Sequence, residues 1–442
     1  MQTDSREKQS LLQRLMRYRM VHNIVALFGT QIARYVFPLI VIPYLARILG
    51  PTQWGIVALA QALGMYYMMV VDFGFQLSAT RRIARAHGDE QKMEVILAGV
   101  LGAKIVLSVF CLLSLAVLQL VVPAFKAHGL IMCEGAISGI ASGFSMLWFY
   151  QGIEDMKTSS AIDVAGRAIS AGGIFLFVHT KNDAWRVLAV QAFGFTVITV
   201  WMLILAYRRV RFVWPTRSTT IEALRESASM FLFSGALSLY TTANTLILGM
   251  VASPYSVGLF AGAEKLMRAM AGVLLPFSQS IYPRINKLML TSTQKAIHLS
   301  RLSLAGMGAI GLLMGGGTYY FAPLIVHLAL GDKFGGSIAV LRTLGLLLPI
   351  LAVSNVLGMQ WMLPLGMDRV FNTIIISAGL LNIGLGFWWA TRWQHTGMAW
   401  AVLCSELLVA TSMIGVLVRK KIAPWSSEED LIPQLQMRTA DH

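Results

Sequence analysis

The chain is 442 residues long and has a formal net charge of +15, yet only 13% of its residues are charged and 56% are hydrophobic. A soluble domain is roughly 25% Asp, Glu, Lys and Arg. A mean hydropathy of +0.65 therefore excludes a water-soluble enzyme and predicts a multi-spanning α-helical membrane protein, because helices satisfy their own backbone polar groups in lipid.

Residues 1–19 are polar and basic and do not read as a secretory signal. Leu11, Leu12, Leu15 and Met16 share one helical face against Arg14, Arg17 and Arg19, which suits an interfacial helix or a disordered basic tail. Apolar runs near the roughly 20 residues a bilayer requires then recur along the chain, for example Val95–Val122, Val187–Ala206, Leu302–Ala322 and Gly397–Val418. The pattern predicts spans at about 21–48, 52–78, 94–122, 129–151, 158–179, 184–207, 224–251, 255–282, 302–328, 337–363, 370–391 and 397–419. It gives a basic segment (1–19), a six-helix lobe (20–210), a cytoplasmic linker (211–223), a second six-helix lobe (224–421) and a cytoplasmic tail (422–442). No connection is long enough to fold as a separate periplasmic domain.

Cationic loops stay on the cytoplasmic side of a membrane. With the N-terminus inside, 24 Lys and Arg residues fall in cytoplasmic segments, among them Arg81, Arg82, Lys157, Arg209, Arg284 and Lys295. Six, including Arg47, Lys126 and Arg186, fall on the other side. Both termini are expected in the cytoplasm, and the basic surplus is expected to face anionic lipid rather than nucleic acid. Cys111, Cys133 and Cys404 lie in apolar runs without metal-like spacing, so neither a disulfide framework nor a bound metal or other cofactor is expected.

A motif recurs where the second helix of each half begins. Pro51, Gly55, Ala58, Ala60 and Gln61 match Pro254, Gly258, Ala261, Ala263 and Glu264 in the pattern P-x-x-x-G-[IL]-[VF]-A-x-A-[QE]. Proline suits a first helical turn, and small residues let helices approach closely in lipid. A weaker echo relates Trp148, Gly152 and Glu154 to Trp361, Gly366 and Asp368. Together they predict two parallel six-helix repeats with substrate bound between them.

Four stretches carry a family resemblance: Pro43-Tyr44 with Arg47, Gly50, Pro51 and Gly55; Asp72-Phe73-Gly74 with Ser78, Arg81 and Arg82; Trp148 with Gln151, Gly152 and Glu154; and Leu357-Gly358 with Gln360, Trp361 and Gly366. In order and spacing they resemble the bacterial polysaccharide transport family, the O-antigen and exopolysaccharide flippases. That family belongs to the MOP superfamily with the multidrug MATE exporters and the peptidoglycan-precursor flippase. The resemblance implies an all-α integral membrane fold of about twelve helices, with two six-helix lobes in a V around a cavity. It also implies alternating-access transfer of an undecaprenyl-pyrophosphate-linked oligosaccharide to the periplasmic leaflet of the inner membrane. Contact with polysaccharide polymerase or chain-length machinery would accompany that role.

Six basic residues lie inside the expected spans: Arg34, Lys104, Arg167, Lys265, Arg268 and Arg342. A charge at the bilayer centre costs roughly 2.5–3.5 kcal/mol, so each is expected to face a partner or a wet cavity. Guanidinium groups grip phosphate oxygens bidentately. Arg34 and Arg268, then Lys265 and Arg167, are therefore the candidate pyrophosphate contacts. Arg167 follows Asp163 by four residues and Arg268 follows Glu264 by four, a spacing that equally permits intrahelical pairs. Lys104 is expected to pair with a carboxylate, and Arg342 to reach toward the interface. Glu134, Asp163 and Glu264 are candidates for counter-ions or for coupling-ion sites. Asp72 and Glu154, at cytoplasmic helix ends, are candidate gate partners of Arg81, Arg82 or Lys157. Tyr66, Tyr67, Trp148, Tyr150 and Trp361 would suit either sugar stacking or an interfacial belt, and Pro38 and Pro43 would allow a bend in the first span.

A multidrug cation antiporter of the MATE type is the alternative function. It would favour a carboxylate-rich cavity, whereas bases outnumber acids here. A membrane glycosyltransferase or polymerase would need a large catalytic loop, and ATP-driven pumping would need a nucleotide motif; the chain shows neither.

Overall fold

The computed structural model describes the backbone of residues 2–426 and 431, and the side chains of 37–231, 235, 243–426 and 431. Among the described residues the regular structure is helical throughout: α1 (Gln2–Asp72), α2 (Phe75–Arg85), α3 (Glu90–Val121), α4 (Pro123–Ala127), α5 (Gly129–Gly143), α6 (Leu147–Gly152), α7 (Met156–Phe177) and α8 (Ala184–Ala206). There follow α9 (Arg217–Val251), α10 (Pro254–Ala271), α11 (Leu274–Thr291), α12 (Thr293–Ala329), α13 (Ser337–Gly345), α14 (Leu347–Asn355), a π-helical stretch Val356–Met362 and α15 (Asp368–Arg419). Each expected span coincides with helical chain, although 129–151, 255–282 and 337–363 are each broken into two or more helices.

Helix length shows where the chain must bend. The 52 residues of α15 would measure about 78 Å in one piece, against a hydrocarbon core of about 30 Å. Gln394, at φ 48° and ψ −125°, divides it into two spans. Gly50, at φ 66° and ψ 172°, divides α1 in the same way. Glycine takes that backbone conformation without a Cβ penalty, and Pro51 then opens the next span. Among the described residues eight helices are long and apolar enough to cross a membrane; the continuous α1–α2 segment Phe37–Arg85 and α15 are long enough for two crossings each.

The chain divides into two compact units: residues 1–42 with 60–235, and residues 43–59 with 236–442. In the first, Phe75, Ile83, Trp148, Phe149, Tyr150 and Met202 form a buried core. Small residues set the helix spacing there: a Cβ on Gly139 would stand 2.0 Å from the Gly64 carbonyl oxygen, and one on Gly64 would stand 2.4 Å from that of Gly135.

In the second unit the repeated motif becomes a contact. A Cβ on Gly55 would lie 1.9 Å from the Pro254 oxygen, and one on Gly258 would lie 1.9 Å from the Pro51 oxygen. The two glycines hold the same place in the motif, and each opens room for the backbone that carries the other. A second core gathers Leu357, Trp361, Met362, Met413 and Leu417 with Ile422 and Ala423 from beyond α15. Hydrogen bonds fasten that last segment: Arg301 donates to the Pro424 and Ser426 carbonyls, both at 2.7 Å, and the Trp361 indole donates to Ile422 at 2.9 Å. The start of the segment beyond α15 is thus a packed strap as far as Ser426.

Candidate functional site

The charged groups within the spans fall into one set in each unit. In the first unit Arg167 grips Asp163 with two donors, Nε at 2.8 Å and Nη2 at 3.3 Å, and both side chains keep some exposure. This is the i,i+4 pair that the sequence permits. Glu134 is half-buried and, among the described residues, has neither a hydrogen-bond nor an ion-pair partner. A carboxylate with no fixed partner is able to take up a proton or a cation, which leaves its coupling role open.

Lys104 is fully buried on α3. Its ammonium donates to the Gly143 and Ser145 carbonyls at 2.6 and 3.2 Å, and stands 5.9 Å from the Phe75 ring centre. These carbonyls are released where α5 stops and α6 has not begun, so the buried cation replaces backbone hydrogen bonds that the break removes. The expected carboxylate partner of Lys104 is thus replaced by two backbone carbonyls, and no ion pair joins it to an Asp or Glu among the described residues.

The expected pairing of Asp72 with Arg81 or Arg82 does not form. Arg82 instead bridges two carboxylates on the first turns of α9, Glu222 at 2.9 Å and Glu226 at 2.8 Å. Arg81 makes no ion pair among the described residues. Beside Glu154, which adopts φ 58°, Asp155 pairs with Arg209. Trp148, Tyr150 and Trp361 are wholly buried in the two cores; they neither face open space for a sugar nor belt the surface. The Tyr150 hydroxyl bonds the Met202 carbonyl at 2.6 Å.

The second unit holds the denser polar set. Glu264 is buried on α10, accepting from Thr245 of α9 at 3.1 Å and from Arg268 at 2.8 Å. The Arg268 side chain remains 45% exposed. Lys265 lies over the Trp54 ring, 4.3 Å from its centre, a contact in which the indole face offsets part of the desolvation of the ammonium. Beside this, Asn382 donates to Asn244 at 2.7 Å and accepts from Ser405 at 3.4 Å, all three buried. Glu406, next in sequence to Ser405, acts electrostatically on Arg268. Sequence reasoning passes over Glu406, although a lone carboxylate in the run Gly397–Val418 is as clear a signal as Glu134.

The structure therefore brings together Glu264, Lys265, Arg268, Thr245 and Glu406 within one unit, and Asp163 with Arg167 in the other. The Arg34 side chain lies outside the described residues. Among the described residues no three His, Cys, Asp or Glu side chains stand close enough to hold a metal.

The family described as polysaccharide biosynthesis protein matches residues 20–289. The chain belongs to this family. Relatives named putative O-antigen transporter are 31% identical over 90% of this chain and 97% of their own length in Escherichia coli K12, and 29% identical over 89% and 99% in Shigella dysenteriae. Among solved structures, the lipid II flippase MurJ matches with a TM-score of 0.70 at 10% identity, over 95% of this chain and 91% of that one. An inward-facing multidrug MATE transporter of the MOP superfamily matches at 0.65 with 14% identity, over 90% and 98%. At such identities the two structures establish the fold alone: this polysaccharide biosynthesis family member is an all-α, multi-pass membrane protein that shares its fold with those two transporters.

Proposed function

We propose that the chain is a transporter that flips lipid-linked oligosaccharide repeat units, of the O-antigen kind, across the bacterial inner membrane. The observation that carries this reading is the 31% identity to a putative O-antigen transporter along 90% of the chain. The substrate is an undecaprenyl-pyrophosphate oligosaccharide, carried from the cytoplasmic to the periplasmic leaflet by alternating access of two six-helix lobes, with both termini in the cytoplasm. Support for that orientation comes from the 24-to-6 division of loop cations.

Support for an anionic substrate comes from the basic groups. Arg268 keeps an exposed edge despite its bond to Glu264, and the neighbouring Lys265 adds a second cation. The pyrophosphate would engage Arg268 and Arg34, with Lys265 and Arg167 as further contacts. Glu264 and Asp163 then act first as counter-ions that hold those cations in lipid between cycles. The chemistry is carriage, with no bond made or broken, so the chain is not an enzyme.

The test is reconstitution. Purified protein in proteoliposomes should render an undecaprenyl-pyrophosphate oligosaccharide accessible to an added glycan-cleaving enzyme on the far side, and Arg34→Ala and Arg268→Ala should abolish this while inserting normally. Full transfer by both variants would remove the site assignment. No transfer with any donor glycan, together with export of a cationic dye, would replace the reading with multidrug antiport.

A further inference from the structure

Where α11 ends and α12 begins, at Ser292, the second unit holds a cavity of about 440 Å3. Three basic side chains line it: Arg284 from α11, and Lys295 and His298 from the first two turns of α12. No Asp or Glu lines it. Among the described residues none of the three basic groups makes a hydrogen bond or an ion pair.

The rest of the lining is the amide Gln294 and three leucines, Leu288, Leu299 and Leu302. Residues 295, 298, 299 and 302 share one face of α12, and 284 and 288 share one face of α11. Leu302, at 62% exposure, opens the apolar run of the following span, and Arg284 comes two residues after the preceding span is expected to end. The cavity therefore sits at headgroup level whichever way the chain is oriented, with its charge toward water and its Leu302 end toward the hydrocarbon. A soluble anion would use the charges and leave Leu302 uncovered. An amphiphile with a phosphate headgroup covers both.

We infer that this cavity is a binding site for an anionic glycerophospholipid, separate from the intramembrane charges around Arg268. The phosphodiester sits between Arg284 and Lys295, His298 donates to it, and the acyl chains run down over Leu299 and Leu302.

The test uses the full chain in a neutral detergent, titrated with phosphatidylglycerol, phosphatidylethanolamine or inorganic phosphate, with bound lipid counted by native mass spectrometry. Each basic group near an anionic surface contributes about 1 kcal/mol, so Arg284→Ala/Lys295→Ala should weaken phosphatidylglycerol binding about thirty-fold. Arg284→Lys/Lys295→Arg should retain it within about three-fold, because charge is preserved. For the unaltered chain, the preference over phosphatidylethanolamine should shrink as salt rises from 50 to 500 mM, since exposed charges are screened; this arm does not depend on any variant folding. Equal binding of both lipids, an unchanged affinity in the double alanine variant, or complete displacement by inorganic phosphate would overturn the inference. So would a prenyl pyrophosphate that takes the same site at lower concentration.

Discussion

Gly258→Ala adds a single methyl group, and the structure fixes what it meets. The new Cβ would stand 1.9 Å from the Pro51 oxygen and 2.7 Å from the Pro51 carbonyl carbon. Carbon–oxygen contact becomes comfortable near 3.4 Å, so the two helices must part by about 1.5 Å, and no rotamer change helps because the obstacle is main chain. Overpacking of this kind costs about 1–3 kcal/mol, at times more. The comparison is Gly317→Ala on α12, where an added Cβ has nothing within 4 Å. In that open helical site alanine should stabilise by about 0.5–1 kcal/mol through lower backbone entropy in the unfolded state. The two substitutions are chemically identical, so a gap of about 1.5–4 kcal/mol should separate them. Unfolding of each purified variant in detergent, followed by helical circular dichroism, measures the gap. Equal stabilities would refute the close crossing of the two repeated motifs.

Arg301→Ala removes two charge-assisted bonds to the strap beyond α15 and should cost about 2–4 kcal/mol locally; a Ser426→Cys probe in that background should label much faster than in its absence, and an unchanged rate would count against the strap. Lys104→Met leaves the Gly143 and Ser145 carbonyls without their donor and should destabilise the first unit by about 2 kcal/mol or more, seen as a lower melting midpoint; a rise would mean that the buried charge is a net cost. Backbone N–H groups of His179 and Thr180, then the Thr180 hydroxyl and Arg186, hold the Asp183 carboxyl below the ordinary carboxylate value. A depressed folded-state value contributes stability above the unfolded value of about 3.9, and that stability is lost as pH falls through the folded value. The melting difference between the unaltered chain and Asp183→Asn should accordingly be present at pH 7 and shrink on acidification; a difference constant down to pH 3 would contradict this.

Much of the fold was legible because lipid imposes a length. Runs of apolar residues near twenty positions long, broken at Gly50-Pro51 and between Trp388 and Gly397, place the spans to within a few residues of the helices observed. What lay hidden depends on tertiary pairing. The interruption between α5 and α6 carries only the weak local signal Ser142-Gly143, and it is held by Lys104, 39 positions earlier in sequence. The π-helical stretch Val356–Met362 has no signature in its residues; Gln360 within it is wholly buried and bonds Ser278 at 3.2 Å and Ser303 at 2.6 Å from two other helices. For the candidate site, the i,i+4 spacing permitted the Asp163–Arg167 and Glu264–Arg268 pairs without choosing them over substrate contact, and both pairs form. The partners of Arg82, by contrast, lie 140 and more residues away on α9, a distance at which charge alone names many candidates and chooses none.

The reciprocal approach of Gly55 and Gly258 has the form of an isologous contact, in which position i of one copy touches position j of the other and j touches i. Two separate chains make such a contact about a two-fold axis; here both copies sit on one polypeptide and are free to diverge. Around the two glycines they have done so, with Thr52 opposite Tyr255 and Gln61 opposite Glu264. The glycines themselves have no such freedom. A side chain at either place meets main chain, which no substitution at the other place can shrink. Any second-site suppressor of Gly55→Ala must therefore arise away from Gly258, in residues whose repacking lets both helices slide.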